Sequence, residues 1–273
     1  MASKRVLSAL FLFLLTLASG LPAAQTRQRA ASSDWCDRDD RWNGDREQVC
    51  EVRQFTVTAA GTMTVDAEPN GGIEVQGQAR ADILVEAKVT AQAESQQRAR
   101  QIADAVRVSA QPHSVSADGP RDLGRREGWS VSYRLAVPTV SALSLKTTNG
   151  GIVIRDVDGQ LDFKTINGGV KLVNLAGDVK GRTNNGGVDV ELDGTGWRGE
   201  GLDVSTSNGG VHLRIPEQYS AHLETSTQNG GMNIDFPLTV QGRIDRQISA
   251  NLGGGGAPIR VTTNNGGVKI SRK

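Results

Sequence analysis

Seven Asn-Gly-Gly tripeptides, starting at Asn70, Asn149, Asn167, Asn185, Asn208, Asn229 and Asn265, recur along this chain and restrict the folds open to it. The last six follow one another at intervals of 18, 18, 23, 21 and 36 residues. One structural unit therefore occupies about 18 residues, and the final gap has room for an unmarked copy.

The columns around each asparagine give the unit its secondary structure. Two positions before it stand Thr147, Thr165, Thr183, Thr206, Thr227 and Thr263, and six before it Leu143, Leu161, Val179, Leu202, Leu223 and Ile259. Three positions after it come Ile152, Val170, Val188, Val211, Met232 and Val268, and five after it Ile154, Leu172, Val190, Leu213, Ile234 and Ile270. Alternation with period two on both flanks is the mark of strands that bury one face. A second turn follows at Asp158-Gly159 and Ala176-Gly177. Two short strands cannot bury an apolar face alone, so successive units are expected to stack as coils of a parallel β-solenoid, of β-helix or β-roll type. The glycines supply the positive φ such corners need. Parity puts both the threonine and the asparagine on the inward face, where stacked asparagines would hydrogen-bond along the axis and satisfy corner backbone groups.

The first half is less regular. Val52 to Thr58, Thr62 to Ala67 and Ile83 to Val89 alternate as strands, and Ile73 and Val75 keep the repeat offsets after Asn70. Glu94 to Ala105, rich in Ala, Gln, Arg and Glu, predicts one short inserted helix. Pro112 to Gly128 reads as loop and Trp129 to Val137 as strand. The organisation is thus a signal peptide over 1–24, a polar cysteine-containing segment over 25–51, an irregular β region with one helix over 52–138, and the repeat solenoid over 139–273.

Lys4 and Arg5 precede an apolar run from Val6 to Leu17 and then small residues, the pattern of a secretory signal cut after Ala24, with Gly20 the alternative. The run is well under the roughly 20 residues a spanning helix requires, and no later stretch reads as transmembrane. Without Lys4 and Arg5 the chain carries 29 basic and 30 acidic residues, a balance that argues against nucleic acid as a partner. Export permits a disulfide, and Cys36 and Cys50 are the only two cysteines. Closing their loop of about 15 residues contributes roughly 3 kcal/mol in the chain-entropy account. With no histidine nearby, the pair does not complete a zinc site.

Cys50-Glu51-Val52-Arg53, Pro69-Asn70-Gly71-Gly72, Trp129-Ser130-Val131, Val137-Pro138 and the Thr-x-Asn-Gly-Gly series ending near Lys269 together resemble the bacterial DUF4097 family. Members of that family are labelled adhesins and are similar to head domains of autotransporter-like proteins. The resemblance implies a β-solenoid fold over nearly the whole mature chain, and it brings no catalytic motif to transfer.

Motifs of chemistry are absent: no G-x-S-x-G, H-E-x-x-H, P-loop or C-x-x-C occurs, and no cofactor is called for. The Asn-Gly-Gly turns lack the aspartate of calcium-binding solenoid turns, and Asp37, Asp39, Asp40 and Asp45 lack the spacing of a calcium loop. His113, His212 and His222 are scattered, without an evident partner. Two outward columns remain. Lys146, Lys164 and Arg182, each three residues before an asparagine, would form a cation ladder with a rung about every 4.8 Å, suited to an anionic polysaccharide or to phosphate. A solvated face relieved by Asp162 and other acids is the plainer account. Asp189, Glu191 and Asp193 alternate along one strand, as paired carboxylates acting on sugars could, or as acids keeping a face soluble.

Three readings of function follow. The chain is an exported, non-catalytic, adhesin-like scaffold of periplasm or cell surface that binds an envelope protein or anionic polysaccharide. Alternatively it is a carbohydrate-active solenoid enzyme using the acidic column, or a structural accessory of the envelope.

Overall fold

The computed structural model describes residues 28–29, 34–37, 46–235 and 246–273. The expected signal peptide over 1–24, and Asp39, Asp40 and Asp45, lie outside the described residues.

The alternation in each repeat builds two strands that belong to different sheets. The strand before each asparagine joins a ten-stranded sheet, and the strand after it an eleven-stranded sheet. Within both, neighbouring repeats pair in parallel: Ile152 faces Val170, which faces Val188, and Leu143 faces Leu161, which faces Val179. The inward columns close the space between the sheets, and Leu143, Leu161, Val179, Leu202, Leu223 and Ile259 are all buried. Between coils the core interlocks by size. A Cβ on Gly181 would lie 2.2 Å from the Phe163 ring, so the glycine makes room for the aromatic side chain of the coil below it. The architecture is mostly β, in two large sheets of parallel repeat strands, consistent with a solenoid.

The threonine column is buried as expected, but its partner is backbone. Each hydroxyl donates to the carbonyl of the first glycine in the adjoining coil: Thr147 to Gly71 at 2.7 Å, Thr165 to Gly150, Thr183 to Gly168, Thr206 to Gly186 and Thr263 to Gly209 at 2.8 Å, and Thr227 to Gly266 at 2.7 Å. The asparagines correct the parity argument. They are exposed, at a corner where no facing sheet covers them. They still bond along the axis, side chain to side chain, with Nδ2 of Asn167 donating to Oδ1 of Asn149 at 2.8 Å and Nδ2 of Asn185 to Oδ1 of Asn167 at 2.8 Å.

The stack does not follow chain order at its far end. The asparagine ladder runs Asn70, Asn149, Asn167, Asn185, Asn208, Asn265, Asn229. The coil of Asn265 (Pro258–Asn265 and Val268–Arg272) sits between the coils of Asn208 and Asn229. The last interval holds no further coil among the described residues. It holds the strand Gln247–Leu252, antiparallel to Ala221–Asn229, at the edge of the ten-stranded sheet.

At the other end, Glu47–Thr58, Asp82–Ala93 and Gly128–Pro138 pair antiparallel, and Gly128–Pro138 runs parallel to Ile73–Gln78, joining this cap to the stack. The helix spans Gln96–Ala105, N-capped by Ser95, and packs Ala99, Ile102 and Ala103 against Val49, Ala91 and Ala93. Arg53, 3% exposed, closes its other end by donating to the carbonyls of Val106 at 2.5 Å and Ala103 at 2.8 Å. Within the segment read as loop, Ser114–Asp118 is a strand, paired antiparallel with Arg107–Gln111 just before that segment, and the fully buried side chains of this hairpin are only Ala110 and Val115. Cys36 and Cys50 are joined. Beside Cys36, the ring of Trp35 lies under the guanidinium of Arg134 at 3.9 Å, with the Lys88 ammonium at 5.1 Å.

Candidate functional site

Parallel pairing sets equivalent residues of successive coils side by side, so each outward column becomes an axial row. Lys146 faces Lys164 and Lys164 faces Arg182, which brings the three cations together on one face of the ten-stranded sheet. The row then continues as Ser205, Thr262 and Ser226 and carries no further charge. Lys146 is engaged by Glu68, whose other oxygen accepts from Thr148 at 2.9 Å. The Lys146 ammonium holds the Glu68 carboxyl below its ordinary range. Lys164, half-buried, and Arg182, exposed, form no ion pair among the described residues. Two residues along the strands, the next row alternates in sign: Asp162, Lys180, Asp203, Arg260, Glu224. Arg260 there pairs with Glu224 at 2.6 Å and Asp203 at 3.5 Å.

The acidic column is bound up in ion pairs. Arg214 reaches Asp189 at 2.9 Å and Glu191 at 3.3 Å, and Lys273 reaches Glu191 at 3.1 Å and Asp193 at 2.9 Å. The Lys273 ammonium above all holds Glu191 and Asp193 below the carboxylate range. A general acid for sugar cleavage needs a raised value. These groups stay ionised and clamp Lys273 onto the neighbouring strands instead.

Two of the histidines do have partners. His212 Nε2 lies 2.9 Å from Ser271 Oγ, and burial, aided by the Arg214 charge, pushes its imidazole below the ordinary value. His222 sits between Ser249 Oγ, 3.2 Å from Nε2, and Asn251 Oδ1, 2.7 Å from Nδ1. Both of those partners come from the edge strand Gln247–Leu252, which carries no repeat signal. The trio lies on an open sheet face, and acyl transfer would also require a substrate cleft and donors for an oxyanion.

One groove was not foreseen. The two glycines of each tripeptide have different surroundings. A Cβ on the first would strike the carbonyl of the adjoining coil: 2.0 Å at Gly168, 2.1 Å at Gly186 and 2.1 Å at Gly209. Close approach of backbones, not positive φ, dictates glycine there; positive φ occurs at second-turn glycines such as Gly177 (φ 97°). From Gly169 onward the second glycine is exposed and a Cβ would meet only ordinary contacts, 3.5 Å at Gly169, 3.4 Å at Gly187, Gly210 and Gly267, and nothing within 4 Å at Gly231, whereas at Gly151 it would lie 3.1 Å from Gly169 O. Stacked in register, these glycines floor an open trough of about 880 Å³ on the eleven-stranded sheet. It crosses five coils, roughly 20 Å at the spacing of parallel strands. Lys171, Asp189, His212, Lys269 and Asn233 line its wall. The signal was present in the sequence as a glycine two residues after every asparagine.

Among the described residues no group of side chains is arranged to hold a metal ion, and no helix is long and apolar enough to cross a membrane. Comparison with curated proteins gives no match. Among solved structures the chain is similar to a candidate cell adhesion protein from Clostridium sporogenes, at 10% identity and TM-score 0.48, over 84% of this chain and 100% of that one. It is also similar to a candidate adhesin from Bacteroides fragilis, at 11% identity and TM-score 0.40, over 83% and 97%. A candidate lipid binding protein from Parabacteroides distasonis follows at 10% identity and TM-score 0.29, over 84% and 97%. The family model described as Toastrack DUF4097 matches residues 70–271, most of the chain, and the protein belongs to that family.

Proposed function

We propose that this protein is an exported, non-catalytic scaffold of the periplasm or cell surface that binds an anionic polymer. In this reading residues 1–24 are removed on export, and coils of about 18 residues within 139–273 present the binding surface. The supporting observation is the pair Lys164 and Arg182, adjacent in register and, among the described residues, without an ion pair to either. Two cations held about 4.8 Å apart repel one another, and an anionic chain laid across them relieves that repulsion. The reading of the acidic column as a hydrolase centre loses support because its carboxylates are committed to Arg214 and Lys273.

Retention of the mature protein on a heparin column, measured as salt is raised, tests this. Lys164→Ser together with Arg182→Ser is expected to weaken retention and flatten its salt dependence while leaving the melting temperature unchanged. Lys146→Ser is expected to do less, since Glu68 already neutralises Lys146. Unchanged retention in the double variant would remove the ladder as the site.

A further inference from the structure

The second glycines lack a side chain that the fold has room for, and they also lack something else. Their carbonyls are used between coils: Gly187 accepts from Val170 N–H, Gly210 from Val188, Gly267 from Val211 and Gly231 from Val268, each at 2.9 Å. Their own N–H groups, at Gly151, Gly169, Gly187, Gly210, Gly267 and Gly231, have no hydrogen-bond acceptor among the described residues. One member of the row shows what accepts from such a donor. At the capped end the neighbour of Gly72 is Ser132 instead of a glycine, and Gly72 N–H donates to the Ser132 hydroxyl at 3.1 Å. In every later coil the equivalent neighbour is a glycine, and the hydroxyl is missing.

We propose that the glycine trough is a binding groove for a linear acidic polysaccharide laid along the solenoid axis, its oxygens accepting from the N–H groups of Gly169, Gly187, Gly210 and Gly267 as the Ser132 hydroxyl does from Gly72. The donors recur about every 4.8 Å, so a ligand must offer an acceptor oxygen at every step, as a chain of sugars does. A peptide strand added to a sheet edge pairs through alternating backbone donors and acceptors, and the backbone of the trough floor offers free donors only, across the strands. A hydrocarbon chain would leave the donors unsatisfied and half its surface in water. Lys171 and Lys269 on the wall form no ion pair among the described residues, while Asp189 is held by Arg214, so the groove favours carboxylates. This inference rests on the reading of the chain as an exported scaffold for an anionic polymer, and it assigns that polymer to a different face from the Lys164–Arg182 row.

Gly187→Ser with Gly210→Ser supplies, inside the trough, the hydroxyls that Ser132 supplies at its end. Binding of polygalacturonate oligomers to the mature protein, followed by calorimetry and amide NMR, is expected to shift the N–H signals of the four glycines. The serine pair is expected to keep or raise the melting temperature and to weaken binding by roughly tenfold or more, and hydroxyethylcellulose is expected to bind more weakly than polygalacturonate. Unchanged affinity in the serine pair, equal affinity for the neutral polymer, or absence of polygalacturonate binding in the wild type would overturn the proposal. So would unfolding of both this variant and the smaller Gly187→Ala, because the second glycine would then be a demand of the fold. If Lys164→Ser/Arg182→Ser abolishes binding and the serine pair does not, the trough falls and the ladder stands; the reverse result removes the ladder.

Discussion

Asn265 donates its side-chain amide to Asn208 at 2.8 Å across 57 residues of intervening chain, and in turn accepts from Asn229, which precedes it in sequence. Removing residues 257–273 therefore takes a coil from inside the stack. Leu202 and Val204 on one side and Leu223 on the other lose their neighbours, and two unpaired strand edges open. The truncated protein is expected to aggregate or to lose its cooperative melt, as read by size-exclusion chromatography and circular dichroism. Asn265→Ala alone breaks two exposed hydrogen bonds and is expected to cost about 1 kcal/mol.

The threonine column makes a sharper demand. Thr183 is 1% exposed and its hydroxyl donates to Gly168 O. Thr183→Val keeps the shape and leaves that carbonyl without its donor, at a cost of about 1–3 kcal/mol. Thr183→Ser retains the donor and is expected to cost less. Urea unfolding of the three proteins checks the order.

The two glycines of a single turn should respond in opposite directions. Gly186→Ala drives a Cβ to within 2.1 Å of Gly168 O and is expected to destabilise by about 3 kcal/mol or more. Gly187→Ala places its methyl at 3.4 Å from Gly210 O and restricts the unfolded chain, so it is expected to be neutral or to stabilise by up to about 1 kcal/mol. Thermal melts of the two variants, one residue apart, give the comparison.

These contrasts mark where sequence reasoning held. Leu161, Val179 and Thr183 were legible because period two and a facing sheet together fix which side of a strand is buried. Asn185 was not, because parity has meaning only where another sheet lies opposite, and the corner has none. The place of the Asn265 coil was hidden because adjacency in sequence is the default for stacked units and no local residue encodes the exception. The partners of His222 were hidden for a related reason: Ser249 and Asn251 lie in a strand outside the repeat. The cation row was legible as a column, but the capture of Lys146 by Glu68 depends on the Asn70 coil, which carries glutamate two residues before its asparagine where the later copies carry threonine.

The clamp of Lys273 on Glu191 and Asp193 gives a pH dependence with a definite sign. Both carboxyls titrate below their ordinary values in the folded protein, Lys273 being the main cause. Their contribution is therefore complete above the unfolded carboxylate range of about 4 and is lost as the pH falls through the lower folded values. Lys273→Gln is expected to lower stability at neutral pH by at most about 1 kcal/mol, these groups being partly exposed. Melting temperatures of the two proteins are expected to converge in acid.

Intercalation of the Asn265 coil also bears on the order in which the molecule can assemble. A chain made from its N-terminus has the coils of Asn149 through Asn208 in chain order, each beside the one before. The coil of Asn229 emerges next, before the coil it pairs with in the finished stack has been made. Its strand edges on that side have their partners only once the later coil is in place. The far end of the solenoid is thus complete only when the Asn265 coil is paired on both sides, and a chain cut short before it is expected to keep finished pairing only through the Asn208 coil.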